Sequence, residues 1–365
     1  MYKFTKTSCF WIENGFSLRH ISEMKRSTIK TVALHAGVSI ATVSRVFSGE
    51  PSVSNDITEK VRNSAALLQY RPSMMARSLT SSQTNLVALV VGRLHNPFDA
   101  ALVEELSAQL SCNGKRLLVM PADYGENDPA SMVALDYQVD GVIVAAGHLS
   151  ENSAERFVQL GVPVILYGRT LDAPGVDCIV ADNFGAARII GQLFKRCGVK
   201  RALFVRHVRD TFSDAERERG FSVGMGADTT LEVVKCTKAT SRVVALDVLS
   251  GLSRPNAIFC ANDVLAFGVM EAAVQLDLKI PDDLMIVGFD DIDMAASPFF
   301  SLTTLRQVPS EIAGWIVTRL LERLKKPELA VTIHRMPAQL VLRGSTRGSD
   351  KIGGAASTGS SRKSN

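Results

Sequence analysis
From Leu86 onward the chain alternates short apolar runs with amphipathic stretches, and this alternation restricts the fold more than any other feature. The apolar runs are Leu86 to Val91, Arg116 to Met120, Gly141 to Val144, Val164 to Tyr167, Cys178 to Ala181, Arg201 to Val205, Ala257 to Cys260 and Met285 to Phe289. Between them lie helical patterns such as Ala101 to Cys112, Phe184 to Arg196, Asp214 to Met225 and Asp263 to Leu276. Strands that are apolar along their whole length belong to parallel sheets covered on both faces by helices. The expected body is therefore α/β and doubly wound. Ligands of such sheets sit beyond the carboxyl ends of the strands, so polar residues just after each strand are the first to inspect.

The head before Leu86 reads differently, with helical patterns at Ile29 to Ala36, Ser39 to Phe47 and Asn55 to Leu68, then a short segment from Ser73 to Thr80 behind Pro72. A chain of 365 residues is long enough for two or three folding units. The expected division is 1–27 as an unstructured extension, 28–72 as a helical head, 73–84 as hinge and linker, 85–344 as the body and 345–365 as a disordered tail. Met24 is the expected start, a disordered arm being the alternative reading of the upstream residues. Hydrophobic residues at 46% and charged residues at 21% describe an ordinary globular protein, and no run approaches the roughly 18 apolar residues of a membrane span. The six cysteines have no Cys-x-x-Cys spacing and the six histidines no ligand spacing, so a reduced cytoplasmic chain with neither metal nor cofactor is expected.

Charge is placed unevenly. The whole chain carries +4, whereas Met24 to Ser82 holds eight Lys or Arg against three Asp or Glu. A basic module on a near-neutral body points to a polyanion partner, although solvated faces can look alike. Enzyme fingerprints are missing: no Gly-x-Gly-x-x-Gly follows the first strand, and neither a phosphate-binding glycine loop nor a nucleophile elbow occurs.

Within the head, Thr28 can cap a first helix. Ala33 stands four residues before Gly37 and Val43 six after it, a spacing that lets two helices cross closely through a tight turn. Ser39 can cap the second helix, whose start and outer face carry Ile40, Ala41, Thr42, Ser44 and Arg45, while Val43, Val46 and Phe47 point inward. Arg45 could fork onto a guanine and Ile40 touch a thymine methyl. A plain three-helix bundle is the competing reading.

The runs Thr28-Ile-Lys-Thr-Val-Ala, Ala36-Gly-Val-Ser-Ile-Ala-Thr-Val-Ser-Arg-Val-Phe and Tyr70-Arg-Pro-Ser-Met-Met-Ala-Arg-Ser-Leu resemble the head of the lactose-repressor (LacI/GalR) family, and the likeness continues to Arg343-Gly-Ser-Thr. It implies a transcriptional regulator whose base-reading positions fall on Ile40, Ala41 and Arg45. It also places a hinge helix at Ser73 to Ser81, with Ser73, Ala76 and the minor-groove wedge Leu79 on DNA. Thr31 stands where Asp is usual. Such a short hinge helix is marginal alone, so two copies should pair on double-stranded, pseudo-palindromic operator DNA. No leucine-heptad tail follows Arg343, which favours a homodimer.

The same resemblance implies a two-lobed body of the periplasmic sugar-binding type, with an effector between the lobes. It assigns Asn96, Phe98, Arg169, Arg217, Asn262, Asp290 and Gln307 to that effector. Vicinal hydroxyls suit forked donors, carboxylates and an aromatic face, so a sugar is expected. Asp99 replaces a second stacking aromatic and Gly168 an Asp, which argues for a sugar acid or sugar phosphate. A purine-like effector and an activating role stay open, as do duller readings: Asn262 as a helix cap, Arg217 on a solvated helix face, Asp290 as structural.

Overall fold
The computed structural model describes residues 27–71, 83–92, 94–121, 129–145 and 151–347. These fall into two compact units, divided at Thr84 and Asn85.

The head is three helices, α1 (Ile29–Ala36), α2 (Ile40–Ser48) and α3 (Asn55–Leu67). Its core is built of small and β-branched side chains: Val32, Ala33, Ala36, Val43, Val46, Val61 and Ala65. Gly37 sits at φ +65° between α1 and α2, a left-handed conformation that costs glycine little. Phe47 is half-buried against Tyr70, their ring centroids 5.9 Å apart.

The body contains a six-stranded parallel sheet built from β1 (Leu86–Val91), β2 (Arg116–Pro121), β3 (Gly141–Val144), β4 (Val164–Tyr167), β5 (Val176–Ala181) and a late strand, β11 (Ile333–Met336). The order is β11-β5-β4-β3-β1-β2. A second parallel sheet, β7-β6-β8-β9, takes β6 (Arg201–His207), β7 (Thr230–Cys236), β8 (Ala257–Cys260) and β9 (Met285–Val287). A short antiparallel pair, β10 (Thr304–Arg306) and β12 (Gln339–Val341), adjoins the second sheet through bridges Val287 to Thr303 and Asp290 to Arg306. Each sheet is the centre of a lobe.

Helices α4 (Pro97–Cys112), α5 (Pro129–Asp136), α6 (Glu151–Gln159) and the returning α11 (Pro309–Lys325) serve the first lobe. Helices α7 (Asn183–Arg196), α8 (Phe212–Met225), α9 (Ser241–Leu249) and α10 (Asp263–Gln275) serve the second. The chain passes between lobes after β5, between β10 and α11, and between β11 and β12. Asp182 N–H donates to the Met336 carbonyl at 2.7 Å, tying two of these passages together. Gly220 and Gly224 on α8 lie against the backbone of α7 at Phe184 and Arg188, so these helices meet without side chains between them.

One expected boundary moves. Ser345 and Thr346, assigned to a disordered tail, are buried. Ser345 accepts from Ile286 N–H at 2.9 Å through its carbonyl and from Thr303 N–H at 2.8 Å through Oγ, closing the edge of the second lobe. Composition suggested an end at Gly344, but backbone pairing extends the fold through Arg347.

Candidate functional site
Two sets of residues invite function, one in each unit. In the head, Ser39 Oγ accepts from Thr42 N–H at 3.1 Å and lies 2.9 Å from Thr42 Oγ1, so both side chains fix the start of α2. That leaves Ile40, 44% exposed, together with Ala41, Ser44 and Arg45 on the solvent face, while Val43 and Val46 point inward. Among the described residues the Arg45 side chain pairs with Glu50, at 3.7 Å, an exposed ion pair worth about 0–1 kcal/mol that a base or phosphate can replace. Thr28 caps α1, and Thr31 completes a reciprocal capping box: Thr28 N–H donates to Thr31 Oγ1 at 2.9 Å and Thr31 N–H to Thr28 Oγ1 at 3.3 Å. The substitution noted at Thr31 therefore keeps the helix start. Ser73, Ala76 and Leu79 lie outside the described residues.

In the body, polar residues gather beyond the strand ends around Asp290. This residue follows β9 at φ +114°, a region side chains rarely adopt, and the surrounding pairing holds it there. Its carboxylate accepts from Asn96 Nδ2 at 2.7 Å and from Gln307 Nε2 at 2.9 Å. Burial pushes its pKa up, against the nearby Arg217 charge and those two hydrogen bonds. Asn96 caps α4, accepting from Phe98 N–H at 3.2 Å, so one amide starts a helix of the first lobe and grips a carboxylate of the second. Ser213 Oγ also crosses the cleft, donating to the Gly168 carbonyl at 3.0 Å.

Arg217 is 7% exposed, which removes the solvated-face reading. Its guanidinium lies 3.5 Å above the Phe289 ring centroid, Nε donates to Asn183 Oδ1 at 2.8 Å, and Nη1 donates to the Ala261 carbonyl. Asn262 does both things considered for it. Oδ1 caps α10 by accepting from Leu265 N–H at 3.0 Å, while Nδ2 stands 3.3 Å from His207 Nε2. His207 Nδ1 is 2.9 Å from Asp214 Oδ2. Burial pushes the Asp214 carboxyl up, but the hydrogen bond and charge of His207, with Arg217, bring it below its ordinary value.

The structure thus joins Asn96, Arg217, Asn262, Asp290 and Gln307 directly or through one neighbour. Phe98 is 4% exposed and belongs to the core, so its ring is packed against protein rather than presented to the cleft. Arg169 follows Gly168, half-buried, where its charge acts on the Cys178 thiol of β5. Sequence reasoning missed His207, Asp214, Asn183 and Tyr167; His207 and Tyr167 end strands, a position that should have flagged them. Asp99, noted only as a lost aromatic, stands in the first turn of α4 with its pKa raised to about 7 by burial and by Asp290, against His207. The pocket is consequently less positive than two arginines suggested: Arg217 spends donors on the protein, and Asp99 supplies the carboxylate that Gly168 lacks. Among the described residues no group of His, Cys, Asp and Glu could hold a metal ion, and no helix is long and apolar enough to cross a membrane.

Residues 28–73 match the family model for bacterial regulatory proteins of the lacI family, and residues 192–346 that for a periplasmic binding protein-like domain. The ribose operon repressor of Halalkalibacterium halodurans is 30% identical over 339 residues, covering 89% of this chain and 98% of that protein. Catabolite control protein A of Priestia megaterium is 27% identical over 332 residues, covering 88% and 99%. The lac repressor dimer bound to operator and the anti-inducer ONPF superposes with a TM-score of 0.79 at 23% identity, covering 88% of this chain and 99% of that one.

Proposed function
The chain belongs to the lacI family of bacterial regulatory proteins, a DNA-binding transcriptional regulator, and from that premise we propose how its two units divide the work. The head reads a half-site of double-stranded operator DNA with the exposed face of α2. Arg45 and Ile40 supply base contacts and Ser39, Thr42 and Thr28 fix the helix starts. Two copies bind a pseudo-palindromic site as a homodimer in the cytoplasm and repress transcription, with Ser73, Ala76 and Leu79 as the proposed hinge contacts.

The body senses a sugar or sugar derivative held between its lobes by Asn96, Phe98, Arg169, Arg217, Asn262, Asp290 and Gln307. One observation carries this reading: the Asn96 to Asp290 hydrogen bond of 2.7 Å, made across the lobes by two residues at strand exits. A ligand that competes for these groups must change the lobe arrangement, which biases DNA affinity by population shift. The relative from H. halodurans, named for the ribose operon, supports a sugar.

The test is fluorescence anisotropy on DNA enriched from genomic fragments by the purified protein, titrated with single sugars. A several-fold shift of DNA affinity by one sugar is expected. Failure to enrich any palindromic DNA would overturn the DNA-reading half, and DNA binding untouched by the whole panel would overturn the sensor half.

A further inference from the structure
We propose that His207 is an effector-binding residue of the cleft, presenting one hydrogen-bond acceptor, Nε2, beside one donor, Asn262 Nδ2, and so selecting an uncharged hydroxyl of a polyhydroxylated ligand. The inference rests on the reading of the cleft as an effector site and adds the chemistry that one wall of it demands.

Placement comes first. Strands β6 and β8 are parallel neighbours with Val205 opposite Cys260, so two residues further on His207 and Asn262 leave the sheet side by side. The carboxyl ends of such strands are where ligands bind. The His207 side chain is 36% exposed, and positive charge on it would act on Asp290 and, on α4 of the other lobe, on Asp99. It therefore faces the cleft.

Hydrogen bonds then fix the role of each ring nitrogen. Oδ2 of the buried Asp214 accepts from the His207 backbone N–H at 3.1 Å and lies 2.9 Å from Nδ1. A carboxylate held below its ordinary pKa only accepts, so the ring proton sits on Nδ1. Asn262 settles the other nitrogen. Its Oδ1 is committed to Leu265 N–H as the cap of α10, which turns Nδ2 toward Nε2 at 3.3 Å. An amide nitrogen donates and does not accept, so Nε2 keeps its lone pair. Asp214 is thus a positioning residue, and His207 offers the ligand an acceptor.

Two nitrogens 3.3 Å apart, one accepting and one donating, can both reach a single oxygen. That oxygen must bring a proton for Nε2 and a lone pair for Nδ2. A hydroxyl has both. A carboxylate or ether oxygen lacks the proton, and an ammonium lacks the lone pair.

The experiment is isothermal titration of the full-length protein with D-glucose, D-galactose, D-mannose and D-ribose, then with every monodeoxy and deoxyfluoro form of the tightest binder. At one position both forms should bind about tenfold or more weakly than the parent, because fluorine supplies no proton. His207→Ala should shrink that penalty to within about twofold, whereas His207→Gln, whose Oε1 can stand in for Nε2, should keep about fivefold or more. Long-range proton–nitrogen spectra of histidine-labelled protein, with the His207 signals identified by their loss in His207→Gln, should place the ring proton on Nδ1 and show Nε2 shifting when the sugar is added. A proton on Nε2, an Nε2 signal that the bound sugar leaves unmoved, or penalties unchanged in His207→Ala overturns the inference and leaves the sugar-sensor reading standing. If no sugar binds, the sensor reading itself falls and this inference with it.

Discussion

Replacing Asp99 by Asn should stabilise the protein, by an amount that grows with pH. The Asp99 carboxyl has its pKa raised from 3.8 to about 7 in the folded chain, chiefly because burial penalises the charge and Asp290 repels it. For a carboxyl whose folded value lies above its unfolded one, the unfolded chain releases its proton first. The resulting cost to folding is absent well below pH 3.8, grows between 3.8 and 7, and is complete above 7. Linkage turns a shift of about three units into about 4 kcal/mol at pH 8, of which about 2 kcal/mol is already present at pH 5.5. The neutral amide never incurs that cost. Urea denaturation of both proteins at pH 5.5 and pH 8 should therefore show the advantage of Asp99→Asn increasing by about 2 kcal/mol between the two pH values. That double difference cancels whatever packing the substitution alters. An advantage that stays constant, or shrinks, with rising pH would refute the argument that partial burial and the Asp290 charge oppose ionisation of Asp99.

Other outcomes follow from the same contacts. Asp177→Ala leaves Arg323, 4% exposed, without its partner at 2.6 Å, and should cost about 3–5 kcal/mol in urea denaturation. Gly220→Ala puts a methyl into the Phe184 carbonyl where α7 and α8 touch, so the melting temperature should fall by several degrees, measured by circular dichroism. Asn262→Ala removes the cap of α10 and should lower stability by about 1 kcal/mol, whereas Asn262→Asp keeps the capping oxygen and should lose much less. Arg45→Ala should weaken binding to the preferred operator by about 10- to 150-fold in anisotropy titrations and change binding to unrelated DNA far less.

The fold was legible where residues are apolar on both sides. Leu86–Val91, Gly141–Val144, Val164–Tyr167 and Ala257–Cys260 are strands over the very residues expected, because a central parallel strand has no polar face to confuse its pattern. The edge strands β7 and β11 escaped notice because Thr230–Cys236 and Ile333–Met336 are mostly exposed or half-buried and mix charges among their apolar residues. Of the residues that gather around Asp290, those at strand exits were legible from the resemblance: Asn96, Asn262 and Asp290 itself. Its second half came from helix faces and residues far apart in sequence: Asp214 reaches His207 from α8, and Asn183 reaches Arg217 from α7. No local pattern announces such pairings. Asp99 was visible only as a replaced aromatic, whereas in three dimensions it is a carboxyl on which a second carboxyl, Asp290, acts.

Among the described residues, two hydrogen bonds join the lobes at the cleft, Asn96 to Asp290 at 2.7 Å and Ser213 to the Gly168 carbonyl at 3.0 Å. At about 1.5–3 kcal/mol for a bond to a carboxylate and about 0.5–1.5 for a neutral one, together they bias the lobe equilibrium by about 2–4.5 kcal/mol. That is the size of a typical coupling free energy between two sites. An effector that takes Asn96 or Asp290 as a partner breaks the stronger bond, so its own contacts decide whether the lobes stay together. Ser213→Ala removes the weaker bond without touching the proposed effector ligands, so it should accordingly change the operator affinity of the effector-free protein by about 2- to 10-fold, as anisotropy titrations without sugar would measure.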